Sequence, residues 1–184
     1  MSKHFVQGLP GKILSFLVVV LLSTLAIVGI RNAAATVAPT DTQVVGWAES
    51  IVMKGNDSIV DAKLDTGATT ASINAEILEK PDDDVESGGI VRFNFVDTNG
   101  NKVLYERPLE RWVKIKGEEG RRPVVRMAIC LSGRWMEGEV NLSERDDFDY
   151  AVLMGRNLLE KGKLAVDSAQ KFVTKPQSCN EEGS

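Results

Sequence analysis

The sequence predicts an all-β domain with one short helix near its C-terminus, preceded by an N-terminal transmembrane or signal helix. Three observations support this prediction. Short runs of alternating apolar and polar residues follow one another between turn signals, as in β-sandwiches and β-barrels. Only one later segment has helical character. An uncharged apolar run near the N-terminus is long enough to cross a bilayer as a helix.

The N-terminal apolar run comprises residues 13–30 and follows Lys3 and Lys12. Positive flanks stay in the cytoplasm, so the rest of the chain is expected on the other side of the membrane, which in a bacterium is the periplasm. The three alanines at 33–35 resemble a signal-peptidase site, whereas the apolar run is longer than a usual signal sequence. Residues 1–31 are therefore predicted to be either a retained inner-membrane anchor or a cleaved signal peptide.

The charge balance of the exported part excludes one class of partner. Residues 32–44 are small and polar and predict a linker to a single domain over residues 45–176, with a tail over residues 177–184. Three of the 22 Lys+Arg precede the linker, which leaves 19 against 26 Asp+Glu, a net charge of −7. Because such a surface repels phosphates, no nucleic-acid partner is expected.

The domain is predicted to consist of hairpins. Residues 90–109 alternate in polarity on both sides of Asn99-Gly100, a pair favoured in tight turns. Residues 111–131 repeat this pattern around a Gly-tipped turn. The remaining elements are predicted as a strand at 134–143, a strand at 150–155 and a short helix at 157–162.

One acid, Asp65, is out of place at the end of a β-type run, because a carboxylate there is costly to desolvate. The structural interpretation is a strand that ends in a turn, with Asp65 capping its own backbone and Gly67 supplying an unusual dihedral angle. Two features favour a functional interpretation instead. Apolar residues Ala62 and Leu64 precede the acid, and a second signature, AVLMGRNLLEKG at 151–162, lies about 90 residues downstream.

Together these residues resemble the retropepsin-like aspartic peptidases, the family of the retroviral proteases. In that family an apolar strand delivers Asp-Thr-Gly-Ala, and a later strand ends in Gly-Arg-Asn or Gly-Arg-Asp before a short helix. The resemblance implies a retropepsin-like closed β-barrel and aspartic endopeptidase activity, with Asp65 as the catalytic residue. It further implies an active-site loop of Thr66, Gly67 and Ala68, supported by Gly155, Arg156 and Asn157.

The Gly-tipped hairpin lies between the two signatures, where the family carries its flap. The resemblance therefore makes Gly117, Glu118, Glu119 and Gly120 candidate flap residues. The retroviral members also carry an acid soon after Asp-Thr-Gly-Ala, and this acid pairs with the arginine of Gly-Arg-Asn. This chain has threonines at positions 69 and 70, so Arg156 is expected to have a different partner.

The chain also resembles, more closely than it does the retroviral proteases, a bacterial group often labelled ATP-dependent zinc protease, and this similarity begins at VGWAE, residues 45–49. Both parts of the label conflict with the sequence. The only histidine is His4, so neither a His/Cys zinc set nor an H-E-x-x-H motif exists. No Gly-rich stretch ends in Gly-Lys-Ser or Gly-Lys-Thr, so a phosphate-binding loop is missing. No metal or other cofactor is expected.

Peptide hydrolysis by carboxylates needs one ionised and one protonated group, and the chain has a single Asp-Thr-Gly. The family solves this with a symmetric homodimer, in which each subunit contributes one aspartate. The resemblance thus implies two partners, a second copy of the chain and a peptide or protein substrate, and a role for the Thr66 hydroxyls in holding the two loops together. The alternative is a noncatalytic periplasmic module that binds a peptide or assembles the envelope on the same fold.

Other residues are given structural interpretations. Residues 81–84 and 143–149 are predicted to be solvated loops, because neither has the ligand spacing of a calcium site. Cys130 lies in an apolar strand and is predicted to be in the core, and its pairing with Cys179 is left open. A tryptophan in an alternating strand is usually buried. That prediction covers Trp47, Trp112 and Trp135.

Overall fold

The structure, a computed structural model, describes residues 41–117 and 120–175, without the side chains of residues 56–58. The apolar run at 13–30 and the tail at 177–184 lie outside these ranges, so the membrane segment and the tail stay predictions. Within the described ranges, no helix has the length and apolar character needed to cross a membrane.

The described residues are mostly β-strand with one short helix, as predicted. The hairpin around Asn99-Gly100, the following hairpin and the helix are all confirmed. The first strand begins within the stretch predicted as linker. In chain order the elements are β1 (Gln43–Gly46), β2 (Ala48–Met53), β3 (Asn56–Leu64), β4 (Ala71–Glu79), β5 (Ile90–Val96), β6 (Lys102–Val113), β7 (Arg122–Leu131), β8 (Arg134–Ser143), β9 (Val152–Met154), α1 (Arg156–Lys161) and β10 (Leu164–Asp167).

Strand pairing closes the main sheet into a barrel. Around the ring, β2 pairs with β3, β3 with β9, β9 with β4, β4 with β8, β8 with β7, and β7 with β2 again. The β5–β6 hairpin pairs with β4 on one side and with β7 on the other. β1 and β10 form a separate parallel pair. Closure satisfies the backbone groups that an open sheet would leave at its edges.

The position of β9 shapes the site. β9 lies between β3 and β4, parallel to the first and antiparallel to the second. The loop that leaves β3 must therefore cross the end of β9 to reach β4. The residues that follow β9 therefore lie next to this loop. Two segments that lie far apart in the sequence thus meet in space.

Alternating side chains fill the barrel. In β5, Val91, Phe93 and Phe95 are fully buried, while the residues between them face outwards. Phe93 stacks on the ring of Tyr105, with 5.7 Å between the centroids. Burial of apolar surface contributes about 25 cal/mol per Å². These large side chains therefore dominate the stability of this wall.

The three tryptophans have different environments. Trp112 is buried, as predicted. Trp135 is 37% exposed, so its prediction as a core residue was wrong. The strand alternates, and its neighbour Met136 takes the inward position. Trp47 is half-buried and packs edge-on against Tyr150, with the ring centroids 6.0 Å apart.

Cys130 lies in β7 and is buried, as predicted. It is disulfide-bonded. The sequence has two cysteines, and the second, Cys179, lies outside the described residues.

A buried carboxylate explains part of the VGWAE motif. Glu49 is fully buried, and one of its oxygens accepts hydrogen bonds from the backbone N–H groups of Gly46 (2.7 Å) and Val173 (3.0 Å). The other oxygen accepts from the backbone N–H (3.1 Å) and the hydroxyl (2.7 Å) of Thr174. A Cβ on Gly46 would lie 2.7 Å from the Cα of Lys171, so only glycine fits. Glu49 thus fastens the segment that follows β10 to the start of β2.

Replacing Glu49 by glutamine should lower the free energy of unfolding by about 2–4 kcal/mol, because an amide NH₂ would face donors that need an acceptor. Urea unfolding of the full chain measures this loss. Glu106→Gln is the matched control, since Glu106 forms an exposed ion pair with Arg92 and such pairs contribute at most about 1 kcal/mol. Equal losses in the two variants would contradict the fastening role.

Candidate active site

Asp65 directly follows the buried end of β3 at Leu64. Its backbone N–H donates to the carbonyl of Met154 (2.9 Å), so the last residue of β9 fixes its position. Its Oδ1 accepts hydrogen bonds from the backbone N–H groups of Gly67 (2.8 Å) and Ala68 (3.2 Å). No described residue donates to Oδ2. One carboxylate oxygen is therefore held, while the other is open to water or a bound molecule.

The turn interpretation of Asp65 was half right. Asp65 does cap the backbone of its own loop, but the expectation of an unusual dihedral angle at Gly67 was wrong, because its φ is not positive. Gly67 is needed for space instead. A Cβ there would lie 3.1 Å from Oδ1 of Asp65, which is tighter than most real contacts. The glycine thus leaves room for the carboxylate.

Arg156 supports the Asp65 loop through hydrogen bonds. Its Nη1 donates to the carbonyls of Thr66 (2.9 Å) and Gly67 (3.0 Å), and its Nη2 donates to the hydroxyl of Thr69 (3.0 Å). Its backbone N–H donates to the carbonyl of Ala68 (2.9 Å). The different partner expected for Arg156 is therefore a hydroxyl and two carbonyls rather than a carboxylate.

Asn157 and Gly155 complete this support. Asn157 Oδ1 accepts from the backbone N–H of Ala71 (3.0 Å), and its Nδ2 donates to the carbonyl of Glu139 (2.8 Å). A Cβ on Gly155 would lie 2.7 Å from the carbonyl carbon of Thr70. Each residue of the Gly-Arg-Asn signature thus has its own structural role. Gly155 leaves space for the backbone of Thr70, Arg156 binds the Asp65 loop, and Asn157 bonds to the start of β4. Thr66 is exposed, and its role between subunits stays a prediction.

The predicted flap is the connection between β6 and β7. Gly117 and Gly120 have φ values of 89° and 82°, which glycine adopts most readily. Glu118 and Glu119 lie outside the described residues. No described contact joins Gly117 or Gly120 to the Asp65 loop. A flap function therefore stays a prediction.

The acidic loop at 81–84 is exposed, as predicted. Residues on either side of this loop contact the end of β6 and the residue before β7. The indole N–H of Trp112 donates to the carbonyl of Val85 (2.8 Å). Lys80 and Arg121 lie over the Trp112 ring, at 4.9 and 5.4 Å from its centroid. Arg121 also pairs with Glu86 (3.4 Å).

The prediction for residues 143–149 was partly wrong. The acids of this stretch are exposed, but Ser143 and Arg145 are buried. The Ser143 hydroxyl lies 2.9 Å from that of Ser72, and the backbone N–H of Arg145 donates to Asn74 Oδ1 (2.7 Å). Sequence reasoning missed Arg145, because one arginine in a run of acids gives no periodic signal. Only the packing of the loop against β4 reveals it.

The pKa of the Arg145 guanidinium is lowered from its ordinary value. Burial lowers the pKa of the Arg145 guanidinium, and the nearby positive charge of Arg122 lowers it further, whereas the negative charge of Asp65 raises it.

Two cavities adjoin this region. One of about 820 Å³ lies between β4, the start of β7 and the loop after β8, and Asn74, Arg122 and Asp146 are among its lining residues. The other, of about 370 Å³, is lined by Arg145, Phe148 and the β5–β6 turn. Asp65 lines neither. Among the described residues, no group of three or more His, Cys, Asp and Glu side chains could hold a metal ion.

A closed barrel that holds an Asp-Thr-Gly-Ala loop over a Gly-Arg-Asn turn defines a retropepsin-like protein. A family model described as RimB-like, "Retropepsin-like aspartic endopeptidase RimB", matches residues 44–177, and this chain belongs to that family. The resemblance to retropepsin-like aspartic peptidases is thus confirmed. The description of the family model names neither zinc nor ATP.

Among solved structures, the chain is similar to a Legionella pneumophila protein of unknown function, assigned to DUF785. The two are 32% identical, with a TM-score of 0.62, and the match covers 72% of this chain and 98% of that one. No protein of curated function matches the chain.

Substituting Arg156 by lysine should open the Asp65 loop, because a single ammonium cannot reach two carbonyls and a hydroxyl with a planar fork. The expected loss is about 1–3 kcal/mol of unfolding free energy. Hydrogen exchange should quicken at the amides of Gly67 and Ala68 before it does in the barrel. Arg126→Lys, on an exposed ion pair with Glu110, is the control and should leave both amides protected. Equal exchange in both variants would contradict the support role.

Proposed function

We propose that this protein is an aspartic endopeptidase whose active site forms when two copies of the chain bring their Asp65 side chains together. The observation that carries the proposal is the state of the Asp65 carboxylate: Oδ1 is held by two backbone N–H groups, while Oδ2 accepts no hydrogen bond from a described residue. Such an oxygen is free to share a proton with a second carboxylate across a two-fold axis.

Two close carboxylates cannot both ionise cheaply, so the pair shares one proton and provides a base and an acid in the same step. The ionised Asp65 takes a proton from water, and the water oxygen forms a bond to the peptide carbonyl carbon. The carbonyl oxygen takes the proton of the second Asp65. When the tetrahedral intermediate breaks down, the first Asp65 gives its proton to the amide nitrogen and the second takes a proton from a hydroxyl group of the intermediate. The C–N bond then cleaves, which leaves an amine and a carboxylic acid and restores the shared proton.

Two features of the single chain support the need for a second copy. Asp65 is partly exposed and lines neither of the two cavities described above. The sequence also supplies a single Asp-Thr-Gly. A bacterial inner-membrane anchor at residues 13–30 would hold the domain in the periplasm and raise the local concentration of copies, which favours pairing. Cleavage of that segment would instead release a periplasmic domain.

The second candidate is a noncatalytic periplasmic module that binds a peptide or assembles the envelope. The larger cavity favours it, because about 820 Å³ is a ligand-sized volume and Asp65 takes no part in its lining. In this case the Asp65 loop would be a structural remnant of the fold.

Asp65→Asn should lower peptide cleavage by at least about 10²–10⁴-fold, because the base is lost. Purified full-length chain, kept in detergent, is incubated with a mixed peptide library over a range of pH, and products are identified by mass spectrometry. The pH–rate profile should be bell-shaped, with an acidic optimum. The specific activity should also fall on dilution, as dimers dissociate.

Mixing provides the matched control. If subunits exchange freely, equal amounts of wild type and Asp65→Asn leave only about one quarter of the dimers with two acids, so activity per wild-type chain should fall by about half. Asp61→Asn, on the exposed side of β3, should have no such effect. A monomer that cleaves at full rate at every dilution, or an active Asp65→Asn variant, would contradict the proposal. A stable dimer that cleaves no peptide would favour the binding module.

Cleavage should not depend on zinc or ATP, because the sequence offers neither a His/Cys zinc set nor a phosphate-binding loop. The same peptide assay, run without nucleotide and after dialysis against a chelator, should give unchanged rates. Activity that disappears with the chelator and returns on addition of zinc would overturn this expectation.

A further inference from the structure

Cys130 is buried, yet its side chain lies on the outer face of the barrel. Side chains alternate along a strand, and the pairing of β7 with β8 has no irregularity. Ile129 and Leu131, on either side of Cys130, belong to the hydrophobic core, so Cys130 points the other way. Arg126, which shares this outward direction, is exposed. The barrel interior therefore does not explain why Cys130 is buried.

The neighbours of Cys130 on the outer face are apolar and more open. Cys130 is paired with Val52 of β2 and with Trp135 of β8. Val52 in turn is paired with Ile59 of β3. Residues directly opposite each other lie on one face of a sheet, so the four side chains form a row across four strands. Ile59 and Trp135 are exposed and Val52 is half-buried, whereas Cys130 is 2% exposed.

The disulfide of Cys130 indicates what covers it. Cys130 is disulfide-bonded, and the sequence has one other cysteine, Cys179. Within one chain, this leaves Cys179 as the partner. The two Cα atoms of a disulfide lie about 4.4–6.8 Å apart. A bond between these two cysteines therefore needs the chain near residue 179 to pass over Cys130.

The segment after β10 runs towards this point. The backbone N–H of Trp47 donates to the carbonyl of Gln170 (2.9 Å), and the backbone N–H of Thr174 donates to the carboxylate of Glu49 (3.1 Å). The segment thus follows β2 in the direction of Val52. Cys179 comes five residues after Thr174, a span of up to about 17 Å, whereas Val52 lies about 10 Å beyond Glu49. The chain is long enough to reach the row.

The sheet also directs the chain to the outside. β3 pairs with one edge of β2 along the whole strand, so the segment after β10 lies at the other edge. β7 occupies that same edge from Val52 onwards, and the segment has to leave the sheet there. On the inner face, Ile51, Met53 and Ile129 are packed in the core. The outer face, where Cys130 lies, is the open route.

We propose that the C-terminal segment is a redox-sensitive strap, in which residues 176–179 cross the outer face of β7 and a disulfide between Cys130 and Cys179 holds them there. Glu49 fastens the start of the strap, and the disulfide fastens its end. The closed loop, residues 130–179, includes β8, β9 and the Gly-Arg-Asn turn. Closing a loop restricts the unfolded chain, so oxidation stabilises this part of the fold. The strap does not depend on peptidase activity.

The strap connects the fold to the compartment. Disulfides persist in the periplasm and are rare in the cytosol, so the strap fits a domain that is exported across the inner membrane. A dithiol reductant opens it in two steps. One thiolate of the dithiol attacks a sulfur of the disulfide, and the second thiolate then displaces the mixed disulfide. Cys130 and Cys179 become thiols, while the dithiol gives up two electrons and two protons and becomes a cyclic disulfide.

Peptide mapping tests the connection. The full-length chain is purified in detergent in the presence of a thiol-alkylating reagent and digested without reductant. Mass spectrometry should find a linked pair of peptides, one with Cys130 and the other with Cys179. Non-reducing electrophoresis should show the mobility of a single chain. Two alkylated cysteines, or a disulfide that joins two chains, would overturn the strap.

Thermal unfolding and hydrogen exchange test what the strap does. Reducing the wild type with dithiothreitol should lower its Tm by about 5–15 °C. The amides of Val173 and Thr174, which donate to Glu49, should then exchange at least about tenfold faster, because the end of the segment is released.

Two variants make the result specific. Cys179→Ser should have the lower Tm from the start, and dithiothreitol should not change it. Ser178→Ala is the matched control and should keep both the Tm of the wild type and its response to reduction. If Cys179→Ser does not fold, reduction of the wild type decides alone. A linked chain whose Tm and exchange at Val173 and Thr174 do not change on reduction would overturn the proposal.

Discussion

The hydrogen bonds between the Asp65 loop and the turn after β9 are the interactions on which the site depends. A loop that crosses the end of a strand cannot pair its backbone in a sheet, so its carbonyls need other donors. The Arg156 guanidinium donates to two of these carbonyls and to the Thr69 hydroxyl, and Asn157 supplies an acceptor at the start of β4. The strand order of the barrel brings the two segments together. The hydrogen bonds of the signature residues then fix the position of Asp65.

The two buried charges among the described residues differ in how far hydrogen bonds compensate them, and this difference indicates their roles. Glu49 is surrounded by donors from the segment that it fastens, so its charge is used for structure. Among the described residues, the Arg145 guanidinium makes a single hydrogen bond and stacks over a ring, which orients the group without neutralising it. A charge that is fixed but not neutralised keeps its electrostatic effect on a neighbour.

Local patterns in the sequence were sufficient to predict most elements, because alternation and Asn99-Gly100 report on neighbours along the chain. The family resemblance of the Asp-Thr-Gly and Gly-Arg-Asn signatures also predicted that the Arg156 segment supports the Asp65 loop. The insertion of β9 between β3 and β4 depends on non-local pairing, which leaves no mark in either strand. Trp135 was misjudged because an alternating strand does not say which of its faces is inward. Arg145 could not be identified, since its burial comes from packing of a charged loop.

The environments of Asp65 and Arg145 bear differently on the two functional candidates. The bonds to Oδ1 of Asp65 stabilise a turn in any protein, so a noncatalytic module would retain them. A buried guanidinium without an ion-pair partner is different, because it costs stability and supports no described strand pairing. Local costs of this kind are found where function compensates for them. The guanidinium lines the smaller cavity, which Asp65 does not line, so the Asp65 loop does not explain this cost.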